Sequence, residues 1–172
     1  YEAIIFCFLQ KFSNFEAKYV ILHVSDLFLT GGYYIMALTI KDILQLQSLH
    51  GFQLISGHKG LSRYVTSAGI LDYEFSPDVD YPRESAFEKD SVVLSSLLFA
   101  KDNPELILPA VEQLYASGVS GFAYKTVIYS KLPEAVTKFS EEYEFPIFCF
   151  GKDTYFENII FEVMNAVLSD DT

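Results

Sequence analysis

An α/β fold is the expectation for this chain: a mainly parallel sheet with helices on both faces, three layers in all. Three observations predict it. Short apolar runs recur between stretches of helical periodicity; each helical stretch opens with a recognisable start signal; and each link is long enough for a crossover between parallel strands. Half of the 172 residues are apolar, enough for one ordinary core and too few for two comfortable domains.

The regular part begins at Ser91-Val92-Val93-Leu94-Ser95, which suits a buried strand. Asn103-Pro104-Glu105 then starts a helix, with asparagine as the cap and proline at the first helical position. Ile107, Val111 and Leu114 share one face of it, and Gly118 closes it in a left-handed conformation. A second strand is predicted over 119–125. Leu132-Pro133-Glu134 starts the next helix, with Val136, Phe139 and Tyr143 inward, and 146–150 is the third strand. Asp153 or Thr154 caps a last helix that buries Phe156, Ile159, Ile160, Val163, Met164 and Val167. Earlier in the chain, Thr39 caps a short helix carrying Ile40, Ile43 and Leu44 on one side. Strands are read over 52–56 and 63–72, separated by a tight turn, Gly57-His58-Lys59-Gly60, whose glycines permit positive φ. The segment 72–89 is acidic, carries Pro77 and Pro82, and reads as a surface loop.

Residues 1–35 differ in character. Two apolar, β-rich runs, 3–9 and 19–24, lead to Thr30-Gly31-Gly32, which can be encoded by a purine-rich ribosome-binding sequence just ahead of Met36. They are read either as a translated leader or as a β-rich extension of a domain spanning 36–172. The 3–9 run has no basic leader or cleavage site, and Lys11 and Lys18 interrupt the pattern well short of a membrane span, so no membrane partner is expected.

Charge and side-chain chemistry narrow the function. With 23 acidic and 12 basic residues the net charge is −11, the wrong sign for direct nucleic-acid binding. Cys7 and Cys149 are far apart, which suggests neither a disulfide framework nor a zinc site; the cytoplasm is the expected compartment. The Gly57–Gly60 turn lacks the spacing of a P-loop, and Ser56-Gly-His-Lys59 lacks the companion motifs that give S-x-x-K its chemistry. His23, His50 and His58 stand singly, and the acidic positions Asp78, Asp80, Glu84, Glu88 and Asp90 lack calcium-loop spacing. No catalytic residue, metal site or cofactor is expected, and the chain is not read as an enzyme. What remains is topological, because ligands of open α/β sheets sit beyond the carboxyl ends of the strands. Those ends offer Ser95 and Ser96, then Lys125 and Thr126, with Asp72 after the earlier strand and Gly151, Asp153 and Thr154 after the last. Lys125 is the candidate for meeting a carboxylate or an anionic ring.

The order of several segments resembles one family. Met36-Ala-Leu-Thr-Ile-Lys-Asp-Ile-Leu-Gln-Leu46, Ile55-Ser-Gly-His-Lys-Gly-Leu-Ser-Arg-Tyr-Val65 and Gly69-Ile-Leu-Asp72 look like the opening of the PucR-type (purine catabolism regulator-like) amino-terminal domain. Val93-Leu-Ser-Ser96, Lys101-Asp-Asn-Pro-Glu105, the run Leu114 to Lys125, and Phe145-Pro-Ile-Phe148 follow in the family's order. The resemblance implies a regulatory domain that senses a small-molecule effector and passes its state to a carboxy-terminal output part with a helix-turn-helix. No such segment is read within these residues, so the output part is an expected partner, along with a second copy in a homodimer. The implied fold is similar to the amino-terminal domain of HPr kinase/phosphorylase and to DRTGG-type domains, which supplies an alternative: an interaction or oligomerisation domain with no ligand of its own. The chain departs from the family at Glu88-Lys-Asp90, where Gly-Gly-Glu is usual, and at Ser95-Ser-Leu97, where Thr-Thr-Gly is common.

Overall fold

Strands buried on both faces must be apolar at consecutive positions, and three apolar runs, 91–95, 121–125 and 147–150, become the middle of the sheet. The computed structural model describes residues 37–80, 82 and 86–169. The readings made for residues 1–36, including the break at Met36, and those on Cys7, His23 and Glu84, lie outside the described residues.

The strands are β1 (Gln53–Ser56), β2 (Ser67–Leu71), β3 (Ser91–Ser95), β4 (Gly121–Lys125) and β5 (Ile147–Phe150). They form one five-stranded sheet in the order β1-β5-β4-β3-β2. β2, β3, β4 and β5 run parallel, and β1 pairs antiparallel with β5 through an irregularity between Leu54 and Ser56. The helices are α1 (Ile40–Ile43), α2 (Ile107–Ala116), α3 (Glu134–Glu142) and α4 (Phe156–Ser169). Among the described residues no helix is long and apolar enough to cross a membrane.

Alternation along the strands feeds two cores. Val93, Phe122, Tyr124, Ile147 and Cys149 meet α2, α3 and the link after β2 through Ile107, Val111, Leu114, Val136 and Phe75. Val92, Leu94, Ala123, Phe148 and Phe150 meet α1 and α4 through Ile40, Ile43, Ile159 and Val163. The three-layer expectation is met.

The start and stop signals explain the helix ends. Thr39 accepts from the Asp42 backbone N–H while the Asp42 carboxylate accepts from the Thr39 N–H, a reciprocal cap. Asn103 Oδ1 accepts from Glu105 N at 3.1 Å, and a 3-10 turn over Pro104–Leu106 leads into α2. Gly118, at φ 79°, ends α2 with the double hydrogen bond Val119 N to Leu114 O and Gly118 N to Tyr115 O. The same motif ends α3, with Phe145 N bonded to Ser140 O and Glu144 N to Glu141 O, but there the left-handed position is filled by Glu144 at φ 50°. Since Glu144 is exposed, Glu144→Gly is expected to raise stability by about 0.5–1 kcal/mol, read as a higher urea midpoint at unchanged m-value.

Some expectations shift. The turn 57–60 does not join a hairpin: β1 and β2 stand at opposite edges of the sheet. Residues 57–66 instead run along the amino ends of the parallel strands. Arg63 donates to the carbonyls of Tyr143 and Glu144 before β5, the Ser120 hydroxyl donates to Tyr64 O before β4, and Thr66 N donates to Asp90 O before β3. This strap shortens the second strand, which begins at Ser67 instead of residue 63. Gly57 has the expected left-handed φ of 73°, whereas Gly60 is needed for closeness, because a Cβ there would collide with the Glu144 carbonyl. Tyr143 is 42% exposed, although its ring stacks on Phe139 at 4.5 Å. The last helix begins at Phe156, so Tyr155 immediately precedes it in place of Asp153 or Thr154.

Candidate functional site

The strap covers the amino ends of the parallel strands and uses their polar groups. The N–H of Gly57, part of the loop that superficially resembles a phosphate cradle, already donates to the Glu141 carboxylate at 2.9 Å, and His58 Nδ1 lies 2.6 Å from the same oxygen. Those bonds hold the Glu141 carboxyl below the usual range, His58 contributing most. No anion is invited where a carboxylate already sits. The carboxyl ends of the strands, where the sequence places its candidate residues, carry no such strap among the described residues.

Register puts the predicted residues there in a row. Leu71, Ser95 and Tyr124 are aligned across β2, β3 and β4, so the next level begins with Asp72, Ser96 and Lys125, spaced by roughly 4.8 Å per strand. Asp72 is exposed, Ser96 half-buried and Lys125 half-buried. The Lys125 ammonium has no carboxylate partner among the described residues. It is met instead by aromatic faces, 5.6 Å from the Tyr155 ring centre and 5.7 Å from that of Phe156. The other two candidates are committed locally. The buried Ser95 hydroxyl accepts from Leu97 N at 2.9 Å, and the Thr126 hydroxyl donates to Phe150 O at 3.2 Å.

Two clefts flank this row. One, of about 390 Å³, lies beyond β2 and β3 and includes Asp72, Tyr73, Asp78, Phe99, Lys101 and Asn103 in its wall. The other, of about 400 Å³, lies beside the start of α4 and includes Ser48, Asp153, Thr154, Tyr155, Asn158 and Glu162. There the Glu162 carboxylate accepts from both Ser48 N and Ser48 Oγ, holding the turn over Gln47–Leu49 to α4. Tyr155 joins Lys125 to the second cleft, and Asp72 belongs to the first. The structure therefore aligns Asp72, Ser96 and Lys125 without gathering all five predicted residues around one cavity.

Topology explains the shallowness. The links from β2 to β3, β3 to β4 and β4 to β5 progress across the sheet in one direction, and Phe75, α2 and α3 place all of them on the same face. The deep crevice of a doubly wound sheet forms where adjacent links diverge to opposite faces, and these parallel strands have no such point. Among the described residues no group of His, Cys, Asp or Glu could hold a metal ion.

Backbone strain marks the same end of the sheet. Leu97, two residues after β3, has φ 61° and ψ 25°, a left-handed conformation that costs a leucine about 1–2 kcal/mol, and its side chain is wholly buried. The sequence profile of the purine catabolism regulatory protein-like family matches residues 42–167, well over half of the chain. The chain belongs to this family. Its members are regulatory proteins, and the match spans every strand of the sheet and the row at their carboxyl ends. No curated protein matches the chain. A glycine at this position would adopt φ 61° without penalty. This chain places a buried leucine there instead.

Sequence reasoning missed Tyr155 and Phe156 as neighbours of Lys125. They lie about thirty residues away, and only the packing of α4 against β5 brings them over the amine. It also missed the Tyr124 hydroxyl, which is buried beside Cys149 with no hydrogen-bond partner.

Proposed function

We propose that this PucR-type domain is the signal-sensing part of a bacterial transcription regulator, responding to a small effector at the carboxyl ends of β2, β3 and β4. The observation that carries the reading is Lys125: a half-buried cation at a strand end, balanced by aromatic faces and by no carboxylate among the described residues. Such a group is prepared for an anionic or strongly accepting ligand atom, because desolvation by a ligand strengthens the interaction and no ion pair must first be broken. Asp72 and Ser96 supply an acceptor and a hydroxyl in the same row; Ser95 and Thr126 shape the backbone around it. The effector spans roughly 10 Å, the width of the row from Asp72 to Lys125 at ordinary strand spacing. The domain acts in the cytoplasm without catalysis and without touching DNA, and hands its state to an output part carrying the helix-turn-helix.

Lys125→Ala is expected to weaken binding of an anionic purine such as urate by about ten-fold or more, the effect of losing one charged hydrogen bond. The loss of stability should not exceed about 1 kcal/mol, since only the contact with the two rings disappears. Calorimetric titration of both chains decides it. If urate or another effector binds the wild-type chain and the variant equally well, Lys125 is not the recognition group.

A further inference from the structure

We infer that the outer edge of β2 is an interface for a second copy of this chain, paired antiparallel about a two-fold axis at Gly69. The inference stands apart from the sensing reading. β2 ends the sheet, and among the described residues nothing pairs with its outer side. Asp90 O accepts from Thr66 N, while Ser91 O accepts from Ser120 N on the other side, so by alternation Val92 and Leu94 turn toward β2, where the parallel register makes Ser67, Gly69 and Leu71 their partners. The N–H and C=O groups of Ala68 and Ile70 then face outward.

Natural edge strands avoid such exposure with lysine, proline or a bulge. β2 has none of these: Ser67-Ala68-Gly69-Ile70-Leu71 is uncharged, and its register with β3 is unbroken over all five residues. The opposite edge strand, β1, does carry an irregularity. A chain of net charge −11 repels its own copies except through neutral surface, which is what this edge offers. Beside the strand, Ile70 is 40% exposed and Leu168, on the helix that packs over β2, is 48% exposed. They form an apolar shoulder to the edge.

The strand is also self-complementary. Centred on Gly69, antiparallel pairing sets Gly69 opposite itself as a closely spaced pair and Ala68 opposite Ile70 on either side of it, each Ala68–Ile70 pair exchanging two backbone hydrogen bonds. Asp72 falls opposite Thr66, so no two carboxylates meet. The contact joins two sheets into one continuous sheet. A Cβ at Gly69 meets nothing within 4 Å, so the position accepts a side chain in the isolated fold.

That freedom provides the test. In sedimentation velocity at rising concentration, the 172-residue chain should form a dimer. Gly69→Lys puts two like charges directly opposite across the axis and should weaken the dimer at least several-fold, with unchanged circular dichroism. Gly69→Val, neutral and better suited to a strand, should keep the dimer. Should the lysine variant fold poorly, hydrogen exchange of the wild-type chain gives the same answer, through slower exchange at Ala68 and Ile70 in the dimer than in the monomer. A chain that stays monomeric overturns the inference. So does a dimer that Gly69→Lys leaves intact, or one in which those two amides exchange as they do in the monomer.

Discussion

Leu97→Ala is expected to destabilise the domain by about 3 kcal/mol, and Leu97→Gly to destabilise it slightly less. Both variants lose the same buried packing, since Leu97 is fully inaccessible in the core shared by β3, β4 and α2. They differ in backbone. Alanine inherits the left-handed penalty at φ 61°, and glycine does not. In ordinary backbone, glycine is the worse of the two by roughly 0.5–1 kcal/mol; here it should be ahead by a similar margin. Urea midpoints of the two variants, compared at equal m-value, give the order directly. Alanine ahead of glycine would mean that the turn after β3 is not left-handed, and the strain assigned to the carboxyl end of the sheet would be withdrawn.

A second large effect is expected in alkali. Burial, and then the neighbouring Cys149, push the Tyr124 hydroxyl up to about 12 from its ordinary 10. The raised value means that the folded state keeps a proton which the unfolded chain gives up. The corresponding stability is fully present below pH 10 and is lost as the pH rises toward 12. Two units correspond to about 2–3 kcal/mol. Tyr124→Phe removes this dependence, and it also removes a buried hydroxyl without a hydrogen-bond partner, which should raise stability near neutrality by about 1 kcal/mol. The measurement is the difference in unfolding free energy between wild type and variant, followed from pH 8 upward. The difference should widen beyond pH 10 in favour of the variant; parallel curves would show that the hydroxyl is solvated in the folded state. Cys149, also pushed up by burial, interacts with the Tyr124 hydroxyl, so the same comparison in a Cys149→Ala background isolates the tyrosine's share.

The contrast between Gly118 and Glu144 shows what the sequence makes legible. Both residues occupy the left-handed position that closes a helix, but only the glycine announces it. The Asn103-Pro104 start and the Thr39 cap were equally plain, because each rests on local chemistry between residues a few positions apart. The three central strands could be read because burial on both faces demands apolar residues at successive positions. The path from β1 to β2 could not be read that way. Nothing within 57–66 says that it will pass beneath three other strands, and its anchors at Tyr143, Glu144, Ser120 and Asp90 come from far along the chain. The same holds for the buried bond from Ser56 Oγ to Ser140 Oγ, 2.7 Å long, which ties the edge strand to α3. At the candidate site, alternation of strands and helices was enough to nominate Lys125, Ser96 and Asp72, and register then aligns them. The aromatic setting of Lys125 depends on where α4 returns over the sheet, a long-range outcome with no local signal.

Binding of a small effector at the carboxyl ends of the strands is tested most directly by a thermal-shift screen of the 172-residue chain. The ligands to use are purines, their ureide breakdown products, sugar acids and nucleotides. At a hundred times its dissociation constant, a ligand that binds only the folded chain adds about 2.7 kcal/mol, a rise of several degrees in a domain of this size. Such a rise is expected for one chemical class, reduced by Lys125→Ala. A cooperatively melting sample that no class shifts would contradict it and would favour an interaction domain with no ligand of its own.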